Sequence, residues 1–261
     1  MTEDRPGIDA TDPTPEARDA YYRELAADYE TKIRQLVPGY EEVMERMAEL
    51  SALGEPDRIL DIGCGTGELT ERIAHAAPEA RVTALEVAAP MAETARRRLQ
   101  ELGSRVEVLE RDVLDAGRRP QGADPGGGPR RSGPGGEPLA AGSFQVVHTN
   151  FVLHNLPWAP KREALAAAYE LLAEGGRLVW GDLIHFRDPL LQASQVDRRV
   201  RHARATGCRE DLIQWNFRKE AQEDFPLTAE ETLDVLRDTG FAEPEVAWAR
   251  DTFLTVWARK A

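Results

Sequence analysis

The run Ile59-Leu60-Asp61-Ile62-Gly63-Cys64-Gly65-Thr66-Gly67-Glu68-Leu69-Thr70 restricts this chain more than any other stretch. Arg58 to Ile62 has the apolar content and length of a buried strand, and Glu68 to Ala74 has the spacing of a helix face. Between them, glycine recurs at alternate positions. A strand that feeds a helix through a glycine turn forms the ligand-binding end of an open α/β sheet. Glycine is needed there because the backbone must take positive φ, or because a ligand lies against the main chain. The plainer alternative is a tight turn with no ligand. A dinucleotide fingerprint would space its glycines Gly-x-Gly-x-x-Gly. Here they are Gly63, Gly65 and Gly67, with Asp61 just ahead. A carboxylate in that place disfavours a pyrophosphate and suits a cation.

Strand and helix patterns then alternate as in βαβ units. Strands are expected at 58–62, 81–86, 105–109, 144–149 and 177–182. Helices are expected at 67–76, at 88–102 before Gly103, and at 161–173 before Gly175-Gly176. Thr228-Ala229-Glu230-Glu231 is a capping box that opens a last helix ending at Gly240. Residues 244–249 and 252–259 then pair as a hairpin. Upstream, residues 16–36 and 40–53 read as amphipathic helices, either a lid over the ligand end or packing on the flank of the sheet. Residues 1–15 are acidic, rich in proline and expected to be disordered. A Gly/Pro/Arg-rich insertion at 117–142 interrupts the pattern, and 189–223 reads as a charged helical insert. One domain over 16–261 is expected, and deletion of 119–136 should leave activity intact.

Two further acids sit at strand ends. Glu86 ends the second strand about 20 residues after the glycines, where a carboxylate can accept both hydroxyls of a ribose. Asp112 follows the third strand. Either alone is an ordinary solvated acid. Asp61, Glu86 and Asp112 at the ends of successive strands together point to a ligand along that edge.

Composition excludes several classes. Asp plus Glu is 46 against 33 Lys plus Arg, a net charge of −13. That disfavours nucleic acid and anionic membrane partners, which need a basic face. The two cysteines, Cys64 and Cys208, make neither a disulfide framework nor a zinc site, and no metal is expected. No apolar run reaches the roughly 20 residues of a membrane span. The acidic N-terminus is not a secretory signal, so a cytoplasmic location is expected, with homodimerisation left open.

The Asp61-to-Gly67 pattern resembles the first motif of class I S-adenosyl-L-methionine (SAM)-dependent methyltransferases. Asn150-Phe151-Val152-Leu153-His154-Asn155-Leu156-Pro157 looks like that family's motif after strand four. Leu171-Leu172-Ala173-Glu174-Gly175-Gly176-Arg177-Leu178 looks like its helix-turn-strand before strand five, and Gly240-Phe241 precedes its usual final hairpin. The resemblance implies a Rossmann-like, doubly wound α/β fold with a seven-stranded sheet, an antiparallel last strand and an N-terminal helical cap. It implies SAM as methyl donor. Gly63, Cys64, Gly65 and Gly67 would lie against the methionine part, with Asp61, Met91 and Asn150 also in the cofactor site. Glu86 would hold the ribose, and Asp112 with the Val113 N–H would read the adenine. Tyr29 would lean over the methionine end, or else pack on the sheet.

A sulfonium methyl group is already electrophilic, so the enzyme mainly aligns a nucleophile and excludes water. An oxygen nucleophile also needs a base. His154, Asp182 and His185 are the candidates, each with the alternative of an orienting or lining role. From residue 144 onward the chain also resembles carboxy-SAM synthase, notably Trp215-Asn216-Phe217-Arg218-Lys219 before Pro226-Leu227-Thr228. That family holds its carboxylate with an arginine whose place falls on Lys219, beside Arg218. A lysine lacks the bidentate fork, and the glycine loop has the ordinary methyl-donor form, so methyl transfer to a small molecule ranks first. A non-catalytic SAM-binding regulator is a further alternative. A base-methylating enzyme is disfavoured, because Thr149-Asn150-Phe151-Val152 stands where Asn-Pro-Pro-Tyr would be needed.

Overall fold

Parallel pairing begins at β1 (Arg58–Ile62), which lies between β2 (Arg81–Glu86) and β4 (Phe144–Asn150). The computed structural model describes residues 28–116 and 137–261. The expectations for 1–15, for the start of the first helix and for 117–136 lie outside these residues. The sheet has seven strands in the order β3-β2-β1-β4-β5-β7-β6. β3 is Val106–Glu110, β5 Leu172–Leu183, β6 Phe241–Arg250 and β7 Phe253–Lys260. The first five strands are mutually parallel, and β7 runs antiparallel to both β5 and β6. This is the doubly wound sheet expected, with the order reversing between β1 and β4. Ligands bind at such a switch point.

Strand alternation sends Ile59, Val82, Val146 and Val179 to one face and Leu60, Leu85, Val147 and Leu178 to the other. On the first face lie α2 (Tyr40–Ala52), α3 (Glu68–Ala76) and α4 (Ala89–Leu99). On the second lie α5 (Val113–Ala116), α6 (Trp158–Leu171) and α9 (Ala229–Thr239). The α9 capping box forms as expected, with Thr228 Oγ1 accepting from the Glu231 N–H.

Two local expectations are corrected. α4 ends at Leu99, before the expected 102, and passes into a 3-10 segment at 100–105 that Gly103 interrupts at φ +58°. Gly175-Gly176 does not separate a helix from a strand. β5 already starts at Leu172 and carries a register shift against β4 at that point. The insert at 189–223 is helical as expected, as two helices, α7 (Pro189–Ala205) and α8 (Glu210–Glu223).

The upstream helices divide the two roles considered for them. α2 packs on the flank, burying Val43, Met44 and Met47 against the sheet. The helix α1, described over 28–36, lies at the ligand end and turns Tyr29, Lys32, Ile33 and Leu36 toward a cavity. Leu36 also packs against Ala203 and Ile213, so α1 and the α7–α8 pair form one layer over that end.

Candidate active site

A cavity of about 550 Å³ runs along the carboxyl ends of β1, β2, β4 and β5. The volume falls in the range of small-ligand sites. Its floor is the glycine turn. The Gly63 and Cys64 N–H groups both donate to the Leu85 carbonyl, at 2.8 and 2.9 Å, which fixes the turn to the end of β2. Gly63 has φ +73°, and a Cβ there would run into Cγ2 of Val152. Gly67 caps α3, and a Cβ there would meet Leu99 and Ala95 of α4. Gly65 differs: at φ +56° it faces open space, with nothing within 4 Å of a Cβ. Here bare backbone meets the cavity.

Glu86 stands beside this opening. Its Oε2 accepts from the Gly65 N–H at 2.9 Å and its Oε1 from the Ala88 N–H at 2.8 Å. Burial raises its carboxyl above the ordinary range, against the lowering pull of the backbone N–H groups of Ala88, Gly65 and Val87. Three backbone N–H groups thus share the two oxygens, which leaves one acceptor site for a ribose hydroxyl. Asp112 opens α5 by accepting from the Leu114 N–H at 2.9 Å, and Val113 follows it on the cavity wall. Tyr29, Met91 and Asn150 also line the cavity.

Asp61 and Cys64 sit below the turn in a smaller recess with Thr66, Glu68 and Tyr40, outside the main cavity. The alternation that buries Ile59 sends Asp61 to the α3 face, where Thr70 Oγ1 donates to it at 2.5 Å. Burial pushes its carboxyl up to about 7, against the Thr70 hydrogen bond. The Cys64 thiol is also pushed up, chiefly by burial, which keeps it unreactive.

Of the three candidate bases, only His154 lines the cavity. It sits on the 3-10 turn Leu153–Asn155 that follows β4. Asp182 Oδ2 accepts from the His154 N–H at 3.0 Å, and Oδ1 lies 2.5 Å from His154 Nδ1. Asp182 further accepts from Trp180 Nε1 and the Leu183 N–H, each at 2.9 Å. Buried and fully engaged, Asp182 holds the imidazole and has no reach of its own into the cavity. His185 is turned away, with Nε2 3.8 Å from Glu231.

Of the opposite wall, the sequence singles out only the segment Trp215–Lys219, and not Arg199, Glu220 or Asp224. Arg199 of α7 forks onto Glu220 of α8, at 2.8 and 2.6 Å, and donates to Thr252 Oγ1 at 2.9 Å. Its guanidinium lies over Phe217 and Phe253. Burial pushes the Glu220 carboxyl up, but the Arg199 charge and hydrogen bonds more than reverse this and hold it below the ordinary range. Lys219 pairs with Asp224 and donates to Asn155 Oδ1 at 3.2 Å. Asp224 Oδ2 lies 3.9 Å from His154 Nε2. The buried Lys161 amine donates to the Phe225 carbonyl, and the Phe225 N–H donates to the His154 carbonyl at 2.6 Å, so this loop is tied to the histidine. Among the described residues, no group of His, Cys, Asp and Glu could hold a metal, and no helix is long and apolar enough to cross a membrane.

A family model described as "Methyltransferase domain" matches residues 60–178. Demethylmenaquinone methyltransferase of Thermus thermophilus is 31% identical over 197 residues, 75% of this chain and 78% of the relative. This chain belongs to the class I SAM-dependent methyltransferases, and to their small-molecule type. Carboxy-S-adenosyl-L-methionine synthase of Aeromonas hydrophila is 25% identical over 224 residues, 82% of this chain and 79% of the relative. An O-methyltransferase family protein from Burkholderia thailandensis shares the fold at TM-score 0.65 and 17% identity. That likeness covers 94% of this chain and 62% of the longer protein.

SAM is the methyl donor of this methyltransferase. The cavity suits it: Gly65 offers bare backbone toward open space, and the Glu86 carboxylate stands beside it with an acceptor site left.

Proposed function

We propose that this methyltransferase acts on a protic oxygen or nitrogen of its acceptor, with His154 as the general base. The carrying observation is the His154 Nδ1–Asp182 Oδ1 contact of 2.5 Å, which fixes the ring and leaves Nε2 toward the cavity. Asp182 then acts as an orienting carboxylate, as the third group does in other base-activated nucleophile sites. SAM supplies an electrophilic methyl group. His154 Nε2 takes the acceptor proton as the acceptor atom bonds to the methyl carbon. The C–S electron pair stays on sulfur, and S-adenosylhomocysteine leaves.

Gly63 and Gly65 are assigned to the methionine part of SAM, Glu86 to the ribose, and Asp112 with the Val113 N–H to the adenine. Lys32, on the cavity face of α1, has no ion pair among the described residues and is assigned to the methionine carboxylate. Asp61 is assigned a supporting role under the turn. We place the enzyme in the cytoplasm with a small-molecule acceptor, and the net charge of −13 supports the acceptor's not being a nucleic acid.

The carboxy-SAM reading is less well supported. A site for an added carboxylate needs an unpaired cation, whereas Lys219 is paired with Asp224 and Arg199 is forked onto Glu220. The test is mass spectrometry of S-adenosylhomocysteine formed with an acceptor library by wild type and by His154→Gln. Turnover should fall by about 10²–10⁴-fold with SAM affinity unchanged. Full activity in the variant removes His154 as base. Carboxy-SAM as the product removes methyl transfer.

A further inference from the structure

The wall of the cavity around His154 carries four ionised side chains, and they cancel in place. Arg199 is 1% exposed and forked onto Glu220, with Phe217 and Phe253 covering the guanidinium. Lys219 pairs with Asp224, whose carboxylate is as deeply buried. An incoming ammonium would have to displace an arginine or a lysine from its carboxylate, and an incoming carboxylate would have to do the reverse. Displacing Arg199 or Asp224 leaves a deeply buried charge without its partner, and displacing Lys219 or Glu220 a partly buried one, which is more costly than leaving the pairs alone. Two polar side chains at this end, Asn155 and Asn216, are bonded to Lys219 and Glu220 of these pairs, and beyond them lie Leu36 from α1, Leu183 from β5, and Leu212 and Trp215 from α8.

We infer that the acceptor is an uncharged, largely apolar ring compound with one protic methyl-accepting group, of the phenol, enol or heterocyclic N–H class. The inference rests on the placement of His154 as base proposed above. The ring meets Leu36, Leu183, Leu212 and Trp215, and the single O–H or N–H is the only polar group it needs, directed at His154 Nε2. Both ion pairs stay closed when it binds. They act as a charge filter, rejecting acceptors of either sign without a dedicated repulsive residue. Lys32 lies on the α1 face of the same cavity and belongs to SAM, so it does not select the acceptor.

The test uses the full chain saturated with S-adenosylhomocysteine, so that binding is measured without turnover. Calorimetry is run with three probes of one frame: 2-naphthol, 6-hydroxy-2-naphthoate and 6-(aminomethyl)-2-naphthol. 2-Naphthol should bind at least about tenfold more tightly than either charged probe, the cost of burying a charge with no partner. Asp224→Asn uncovers the Lys219 charge and should bring the carboxylate probe to within about threefold of 2-naphthol. Lys32→Ala should weaken SAM binding and leave the ranking of the three probes unchanged. The inference is overturned if a charged probe binds as well as 2-naphthol, if 2-naphthol does not bind, if Asp224→Asn leaves the carboxylate probe excluded, or if Lys32→Ala changes the ranking. The base assignment fails separately, when His154→Gln keeps both this ranking and its turnover.

Discussion

His148 Nδ1 lies 3.5 Å from Asp61 Oδ1, on strands β4 and β1, which pair these two residues in register. Both side chains are buried, and neither ring nitrogen of His148 has a hydrogen-bond partner among the described residues. Burial holds the His148 pKa down at about 3, against an ordinary 6.5, and pushes Asp61 up to about 7 from 3.8. Between pH 4 and 6.5 the folded pair therefore keeps one proton, on Asp61. The unfolded pair also keeps one, on His148. Equal proton counts give no slope of stability with pH.

Breaking the pair should expose two opposite slopes. In His148→Asn only Asp61 remains. Its folded pKa is raised, so its contribution is greatest below about pH 4 and is lost as pH rises toward about 7. In Asp61→Asn only His148 remains. Its folded pKa is depressed, so its contribution is present above about pH 6.5 and is lost as pH falls toward 3. Urea unfolding of both variants at pH 5, 6 and 7 measures the two slopes. Slopes of the same sign would show that the two residues do not offset each other.

Asp182→Asn should slow turnover without disturbing the donor site. Asparagine keeps the shape but only one acceptor oxygen, so it retains either the Trp180 Nε1 contact on Oδ2 or the Leu183 N–H contact on Oδ1, and it no longer offers a charged partner to His154 Nδ1. The expected loss in kcat is about 10–100-fold, part of the range for a general base, with SAM affinity within about twofold of wild type. A fall in SAM affinity as large as the fall in kcat would mean that Asp182 supports the fold of the donor site and not the orientation of the base.

Glu86→Ala should weaken SAM binding by about 1–3 kcal/mol, the range for a lost charged hydrogen-bond partner. The same change frees the Gly65 and Ala88 N–H groups, so the turn itself loosens. Glu86→Gln separates the two effects. It keeps one acceptor oxygen for a backbone N–H and loses the charge. If ribose contact dominates, the glutamine variant binds SAM nearly as poorly as the alanine variant while melting close to wild type. Unchanged affinity in both variants removes Glu86 from the site.

The glycine turn, the βαβ rhythm, Glu86, Asp112 and the final hairpin were legible in the sequence because each is a local signal of strand period, helix period or backbone need. Asp61 shows how a motif can hide a simpler rule. Alternation from the buried Ile59 already places Asp61 on the α3 face, yet its position beside the glycines reads as a place in the row of cavity acids. Gly175-Gly176 was misplaced for a related reason. Paired glycines usually end a helix, but here the bulge against β4 keeps both within β5. The wall made by Arg199, Glu220 and Asp224 gave no sequence signal. Arg199 and Glu220 stand 21 residues apart on two helices, and only the turn after Ala205 brings them together. In the sequence they are two charges in a charged segment.

Gly63 and Gly65 have similar backbones and different surroundings, and alanine should separate them. Both take positive φ, +73° and +56°, which costs an alanine about 1–2 kcal/mol. At Gly63 the added methyl also runs into Val152, an overpacking cost of about 1–3 kcal/mol. Gly63→Ala should therefore lower the melting temperature more than Gly65→Ala, and adding Val152→Ala should recover the steric part alone. At Gly65 the added methyl meets no protein atom within 4 Å, but it enters the space assigned above to SAM. Gly65→Ala should keep most of its stability and lose the upward shift in melting temperature that SAM gives wild type. Thermal melts of the four proteins with and without SAM decide both points. A Gly65→Ala variant that SAM still stabilises fully would show that the open side of the turn is not where the donor rests.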